Sequence, residues 1–317
     1  MKRTLTLSLV VSLLATAALA LDGAWTASVD DKDRDHIQFN LTTGHWNNMG
    51  MTLPVAAFAN LTPSQINAAT MTAVNFEMRR EAGTVSLEGT FRNGKGAGQF
   101  TFAPDRSYIE KIRALGLTFD LNDRHRHREN RTEDDDLFTL TLHDVSTAYI
   151  KSMQAIGYNT TLGKYLTMRI FNITPEYVKE MESLGFGKLS EDELTETKIH
   201  RVTPQYVRDM RAAGWNLTLE EYKSSRIHGA TPEFAAEMKK LGYGDLFFSD
   251  LLAFRIHRVT PEFITALRQL GYEHLSADEL VALRVHRVTP EFIQELRSAG
   301  YEHVPAEKLV ALKSLRR

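Results

Sequence analysis

The chain has 317 residues, 43% hydrophobic and 25% charged, a composition that excludes wholesale disorder. A formal net charge of −2 gives no electrostatic case for binding nucleic acid or an anionic membrane. The absence of cysteine excludes disulfides, thiolate nucleophiles, Cys-ligated zinc, iron–sulfur clusters and a lipid-modified N-terminal cysteine.

Residues 1–20 read as a secretory signal peptide. Lys2 and Arg3 open it, Leu5 to Ala17 is an apolar run, and Ala18-Leu19-Ala20 is a small-x-small cleavage site. The run is shorter than the ~20 residues that span a bilayer. A periplasmic or secreted location is therefore expected, with no stable membrane span after cleavage. Without cysteine, the exported chain has to be held by packing alone.

Residues 21–104 are expected to form an antiparallel β domain. Ile37, Phe39 and Leu41 alternate with polar residues, as do Val74, Phe76 and Met78, then Val85, Leu87, Gly89 and Phe91, then Phe100 and Phe102. Period two marks strands with one buried face. Ala82-Gly83 and Asn93-Gly94 sit where hairpin turns need residues that tolerate positive φ. The pattern reads as a meander, with Pro63 to Ala69 as a short helix inserted in it. Gly94-Lys95-Gly96-Ala97-Gly98 lacks the spacing of a phosphate-binding loop and reads as a flexible hairpin turn. Trp25 and Trp46 are assigned to the core, with stacking on a sugar or peptide as the alternative.

The rest of the chain repeats. Pro175, Pro204, Pro232, Pro261 and Pro290 recur every 28–29 residues, each after a threonine. Gly185, Gly214, Gly242, Gly271 and Gly300 follow ten residues later, each followed by an aromatic residue. A degenerate copy precedes these, with Val145-Ser146-Thr147 at its start and Gly157-Tyr158 at its centre. A fixed period of this kind marks a repeat architecture. Each unit encodes two helices. Thr at the N-cap with Pro at the first helical position starts one, glycine at C′ stops it, and a capping box such as Ser276 to Glu279 starts the next. Phe263, Ile264, Leu267 and Leu270 line the first helix; Leu280, Val281, Leu283 and Val285 are assigned to the apolar side of the second. Stacked pairs share a core that one pair cannot build, so residues 137–317 are expected to form an α-helical repeat domain, a solenoid of two-helix repeats. Residues 105–121 hold a partial first repeat. Residues 122–136, charged and free of apolar side chains, read as a solvated loop, with a metal site from His125, His127 and Asp134 to Asp136 as the alternative.

Two ladders run through the repeats. His143, His200, His228, His257 and His286 share one register, four residues before the helix-start position, and Phe171 interrupts them. Capping of a helix C-terminus explains every copy, and a pH- or metal-responsive column is the alternative. The second ladder is basic: Arg169, Lys198, Arg226, Arg255 and Arg284 at one register, and Arg201, Arg258 and Arg287 three residues later. Residues three apart share a helical face, so Lys198, Arg201, Arg226, Arg255, Arg258, Arg284 and Arg287 are candidate contacts for an acidic partner. The alternative is a solvated surface salt-bridged to Glu176, Glu233, Glu262 and Glu291 on the first helices.

No metallopeptidase, serine-hydrolase, Walker or dinucleotide-binding signature occurs, no nucleophile is paired with a base, and no cofactor is expected. The unit from Val259 to Arg287, VTPEFITALRQLGYEHLSADELVALRVHR, resembles helical repeats of poorly characterised exported bacterial proteins. It is also similar to repeats in the extracellular part of some integral-membrane metallopeptidases related to beta-lactam sensor–transducers. Phe76 to Phe102 resembles the sheet that precedes those repeats. The metallopeptidase motif and the membrane helices are lacking here, so the resemblance implies a sensory or interaction module outside the cytoplasm and does not carry over peptidase activity.

The expected class is α+β: an N-terminal antiparallel β domain followed by the helical solenoid. The expected function is a non-enzymatic protein-interaction scaffold within an envelope sensing system, whose partner is another protein or a peptide. The first alternative is a metal- or pH-responsive sensor built on the histidine ladder. The second is a hydrolase with its site in the β domain.

Overall fold

A computed structural model of the chain describes residues 21–30, 33–44, 49–121 and 132–315. The chain divides into two compact units, Met1–Ile170 and Phe171–Arg317.

The first unit opens with an antiparallel six-stranded sheet. Its strands are β1 (Leu21–Asp30), β2 (Asp33–Thr43), β3 (Met49–Pro54), β4 (Thr72–Arg80), β5 (Gly83–Arg92) and β6 (Lys95–Pro104), with a one-turn helix, α1 (Pro63–Ile66), before β4. The spatial order is β3-β2-β1-β6-β5-β4. Two three-stranded meanders are thus joined where the first strand pairs with the last, a long-range pairing that local alternation does not encode. Alternation does define the buried face. Trp25, Phe39, Phe58, Phe76 and Phe91 gather there with ring centroids 5.0–6.4 Å apart.

Trp25 belongs to the core; Trp46 lies outside the described residues. The Trp25 indole N–H donates to the Glu88 and Gln99 carbonyls at 3.1 and 3.0 Å, which satisfies its one polar atom. Gly89 makes room for it, and Gly98 makes room for the neighbouring backbone of β5. A Cβ at Gly89 would stand 2.7 Å from the indole, and one at Gly98 would stand 1.9 Å from the Glu88 oxygen. Of the glycine-rich segment only Gly94 lies in the turn, with Asn93 before it, both at positive φ (49° and 75°), and Lys95 onward is strand. The preceding turn is Glu81-Ala82, between paired Arg80 and Gly83.

Among the described residues four helices complete this unit: α2 (Ser107–Ala114), α3 (Glu133–Leu142), α4 (Thr147–Ala155) and α5 (Leu162–Ile170). Residues 133–136, expected in the charged loop, are instead the first turn of α3. Thr132 and Asp135 form a capping box there, and four acids at a helix N-terminus complement its dipole. This helix completes the partial first repeat. It also docks on the sheet, its Phe138 ring lying 5.5 and 5.1 Å from Phe100 and Phe102. Glu81, in the β4–β5 turn, accepts from the Thr147 amide and hydroxyl at 2.6 and 2.9 Å and so caps α4. His125 and His127 lie outside the described residues.

The second unit holds five helix pairs: α6 (Pro175–Met181) with α7 (Glu191–Ile199), α8 (Pro204–Ala212) with α9 (Leu219–His228), α10 (Pro232–Lys240) with α11 (Phe248–Ile256), α12 (Pro261–Gln269) with α13 (Ala277–Val285), and α14 (Pro290–Ser298) with α15 (Ala306–Leu315). The repeated signals act as read. Each threonine before a proline is an N-cap whose hydroxyl accepts from the amide three residues on. Ser190, Thr218 and Ser276 form capping boxes with Glu193, Glu221 and Glu279. Gly214, Gly242, Gly271 and Gly300 take φ of 83–100°, the left-handed stop that side chains resist. From Ala230 to Leu309 one continuous apolar cluster fills the space between the helices, and successive second helices α9, α11, α13 and α15 contact one another.

Candidate partner-binding strip on the second helices

The basic and histidine ladders of the second unit fall in four tetrapeptides: Lys198-Ile199-His200-Arg201, Arg226-Ile227-His228-Gly229, Arg255-Ile256-His257-Arg258 and Arg284-Val285-His286-Arg287. Each spans the last turn of a second helix and its cap. The two basic registers do not share a helical face, because the helix ends between them.

Lys198, Arg226, Arg255 and Arg284 sit in the last turn, where cations favour the dipole. Each lies over the aromatic ring at the start of its own pair's first helix: Tyr177 at 3.6 Å, Tyr206 at 4.5 Å, Phe234 at 4.7 Å and Phe263 at 4.8 Å. Lys313 over Phe292 repeats the arrangement, and Arg169 over Tyr149 does so in the first unit. Such a contact stabilises by about 0.5–1 kcal/mol at an exposed site. It also holds the stem of each cation against the fold while its outer edge stays open to solvent.

Arg201, Arg258 and Arg287 lie just beyond the cap, with φ of 55°, 59° and 58°. This is the left-handed region, which costs a residue bearing a Cβ about 1–2 kcal/mol. Gly229 holds the same register in the remaining pair, with φ 73°. Among the described residues none of Arg201, Arg226, Arg255, Arg258, Arg284 and Arg287 forms a salt bridge. Among the described residues the alternative, a salt-bridged pairing with the first-helix glutamates, is not made. The N-cap threonine hydroxyls and the backbone amides hold the Glu233, Glu262 and Glu291 carboxyls below the usual range. Glu233 also faces Arg226, and Glu180 faces Lys198.

Between the two cationic registers stands an aliphatic ladder that the sequence reading missed. Ile199, Ile227, Ile256 and Val285 are 53, 58, 49 and 47% exposed. Val285 therefore does not belong to the apolar side of α13. It lies about 140° around the helix from Leu280, since each residue turns the helix by 100°. The signal was an apolar residue with a cation before it and a histidine after it, recurring at the end of each second helix.

Neighbouring tetrapeptides touch. Ile199, His200, Arg201, Arg226 and Ile227 line one shallow groove. A Cβ at Gly229 would meet the Arg255 guanidinium at 3.0 Å. Arg284 Nε donates to the His257 carbonyl at 3.4 Å, and His286 Nδ1 is 3.1 Å from Ser314 Oγ of α15. The strip is therefore continuous from α7 to α15.

The histidines stand at helix C-termini. His200, His257 and His286 are C-cap residues of separate helices, and His228 is the last residue of α9. His143 caps α3 in the first unit, where burial and the nearby Arg169 lower its pKa. Among the described residues no group of three or more His, Asp or Glu side chains is arranged to hold a metal ion. A shallow cleft on the sheet is lined by Asn75, Ser86, Leu87, Glu88, Gln99, Phe100 and Thr101, which include one carboxylate and no histidine. Among the described residues no helix is long and apolar enough to cross a membrane.

Searches for a matching family model, a similar curated protein and a similar solved structure each found none. The class of protein rests on its own architecture: an antiparallel sheet domain followed by two-helix repeats.

Proposed function

We propose that the chain is a non-enzymatic scaffold that binds another protein or a peptide outside the cytoplasm, as part of an envelope sensing system. The observation that carries this reading is the strip of half-exposed Ile199, Ile227, Ile256 and Val285, flanked by cations. Isolated exposed aliphatics need no explanation, but a contiguous row that recurs with the repeat is the signature of an interaction surface. The three arginines with left-handed backbone support it. They retain a local cost at a surface position where one repeat uses glycine, and such strain collects at functional places. The signal-peptide pattern of residues 1–20 supports the extracytoplasmic location.

The test is affinity capture from an envelope fraction, comparing the full chain with a variant carrying Ile199→Ser, Ile227→Ser, Ile256→Ser and Val285→Ser. The variant keeps its helical circular dichroism and loses a specific partner. Identical capture by both proteins refutes the reading.

A further inference from the structure

We propose that the strip receives an extended acidic peptide that presents an aliphatic side chain at every third residue, with carboxylates between. This rests on the scaffold reading and adds the chemistry and spacing of the ligand.

Charge comes first. The four tetrapeptides carry seven cations, Lys198, Arg201, Arg226, Arg255, Arg258, Arg284 and Arg287, and no acid, in a chain whose net charge is −2. None of the seven forms a salt bridge among the described residues, and the strip is continuous, so they form a basic border along the aliphatic row. Glu180 and Glu233 face Lys198 and Arg226, whereas Glu262 and Glu291 are held by their own N-cap threonines and amides with no cation beside them among the described residues. The least neutralised stretch is therefore Arg255 to Arg287. Guanidinium forks suit carboxylates, which they grip in bidentate fashion.

Spacing comes second. One aliphatic stands on each successive second helix, and packed helices lie about 8–10 Å apart. A polyproline-type chain advances about 3.1 Å per residue with three residues per turn, so every third side chain returns to one face after about 9.3 Å. A β-strand returns to one face after about 6.7 Å, which falls out of step by the second repeat. Four aliphatic contacts then take a segment of about ten residues. Such a ligand is pre-extended and loses little entropy on docking.

The probe is a fluorescent peptide of tandem Leu-Glu-Pro triplets about fifteen residues long, titrated into the full chain by anisotropy. It is expected to bind, to weaken about tenfold or more with the four-serine variant and with Arg255→Glu/Arg284→Glu, and to weaken in high salt. Circular dichroism confirms that each variant is folded. Equal binding of a Ser-Glu-Pro peptide, or of a peptide with leucine at every second residue, overturns the proposal, because charge alone would then suffice. Binding confined to phosphatidylglycerol vesicles overturns it in favour of a lipid surface. If no peptide binds while strip-dependent protein capture persists, this inference fails and the scaffold reading stands. Loss of strip-dependent capture removes the scaffold reading itself.

Discussion

The junctions between repeats set how far a two-helix solenoid unfolds as a unit, and one arginine tests them. Arg268 Nη2, on α12, donates to the Leu241 carbonyl at the C-cap of α10. The corresponding Arg211 and Arg297 donate to Leu184 and Leu270, the former at 2.8 Å. Each guanidinium thus closes an orphan helix-end carbonyl of the preceding pair. Replacing Arg268 with Met keeps most of the packed stem and removes the charged donor. A hydrogen bond from a charged group is worth about 1.5–3 kcal/mol, and a half-buried carbonyl recovers part of that from water. The Tyr243 ring, 5.9 Å away, lies at the limit of a cation–π contact and adds little. The expected loss is about 1–2 kcal/mol. Urea titration followed by circular dichroism measures it, and the transition should broaden as coupling between neighbours weakens. Arg258→Met is the control, since that side chain makes no such bond, and should stay within about 0.5 kcal/mol. A loss for Arg268→Met no larger than that of the control refutes the clamp.

Other expectations follow from the same geometry. Lys239 takes the clamp position on α10 and makes no such bond among the described residues, so hydrogen exchange should be fastest at the junction between the α8/α9 and α10/α11 pairs. Uniform protection across all junctions contradicts this. Arg258→Gly and Arg287→Gly should each stabilise the fold by about 0.5–1 kcal/mol while weakening partner binding; destabilisation in thermal melts means the left-handed backbone is not strained. His143 titrates below its ordinary value because it is buried and faces Arg169. The unfolded chain then binds the proton first, so this stability is present above about pH 6.5 and is lost as the pH falls below it. His143→Asn should flatten the fall in melting temperature between about pH 7 and 5, and an unchanged slope rules His143 out as the cause.

Much of this architecture was legible because its signals are local. Thr260 and Pro261 start a helix, Gly271 stops it and Ser276 with Glu279 starts the next, whatever surrounds them. The alternation of Val85, Leu87 and Phe91 marks a strand for the same reason. What failed was reasoning beyond one helix. The seven cations looked like one face because they are three apart. Whether three residues share a face depends on where the helix ends, and here it ends at His200, His257 and His286. Glu133 to Asp136 looked like loop because acids dominate them, yet acids belong in a first turn once Thr132 caps it.

The amino-acid sequence by itself determined the period, the helix boundaries near Thr-Pro and Gly, and the buried faces of most strands, since capping, left-handed backbone and side-chain alternation act within a few residues. The pairing of β1 with β6, the placing of each cation over a ring, the arginine clamps and the outward ladder of Ile199, Ile227, Ile256 and Val285 were decided only by tertiary structure. These join groups about twenty to eighty residues apart, or depend on which side of a helix its neighbours leave uncovered, and no local rule carries that information.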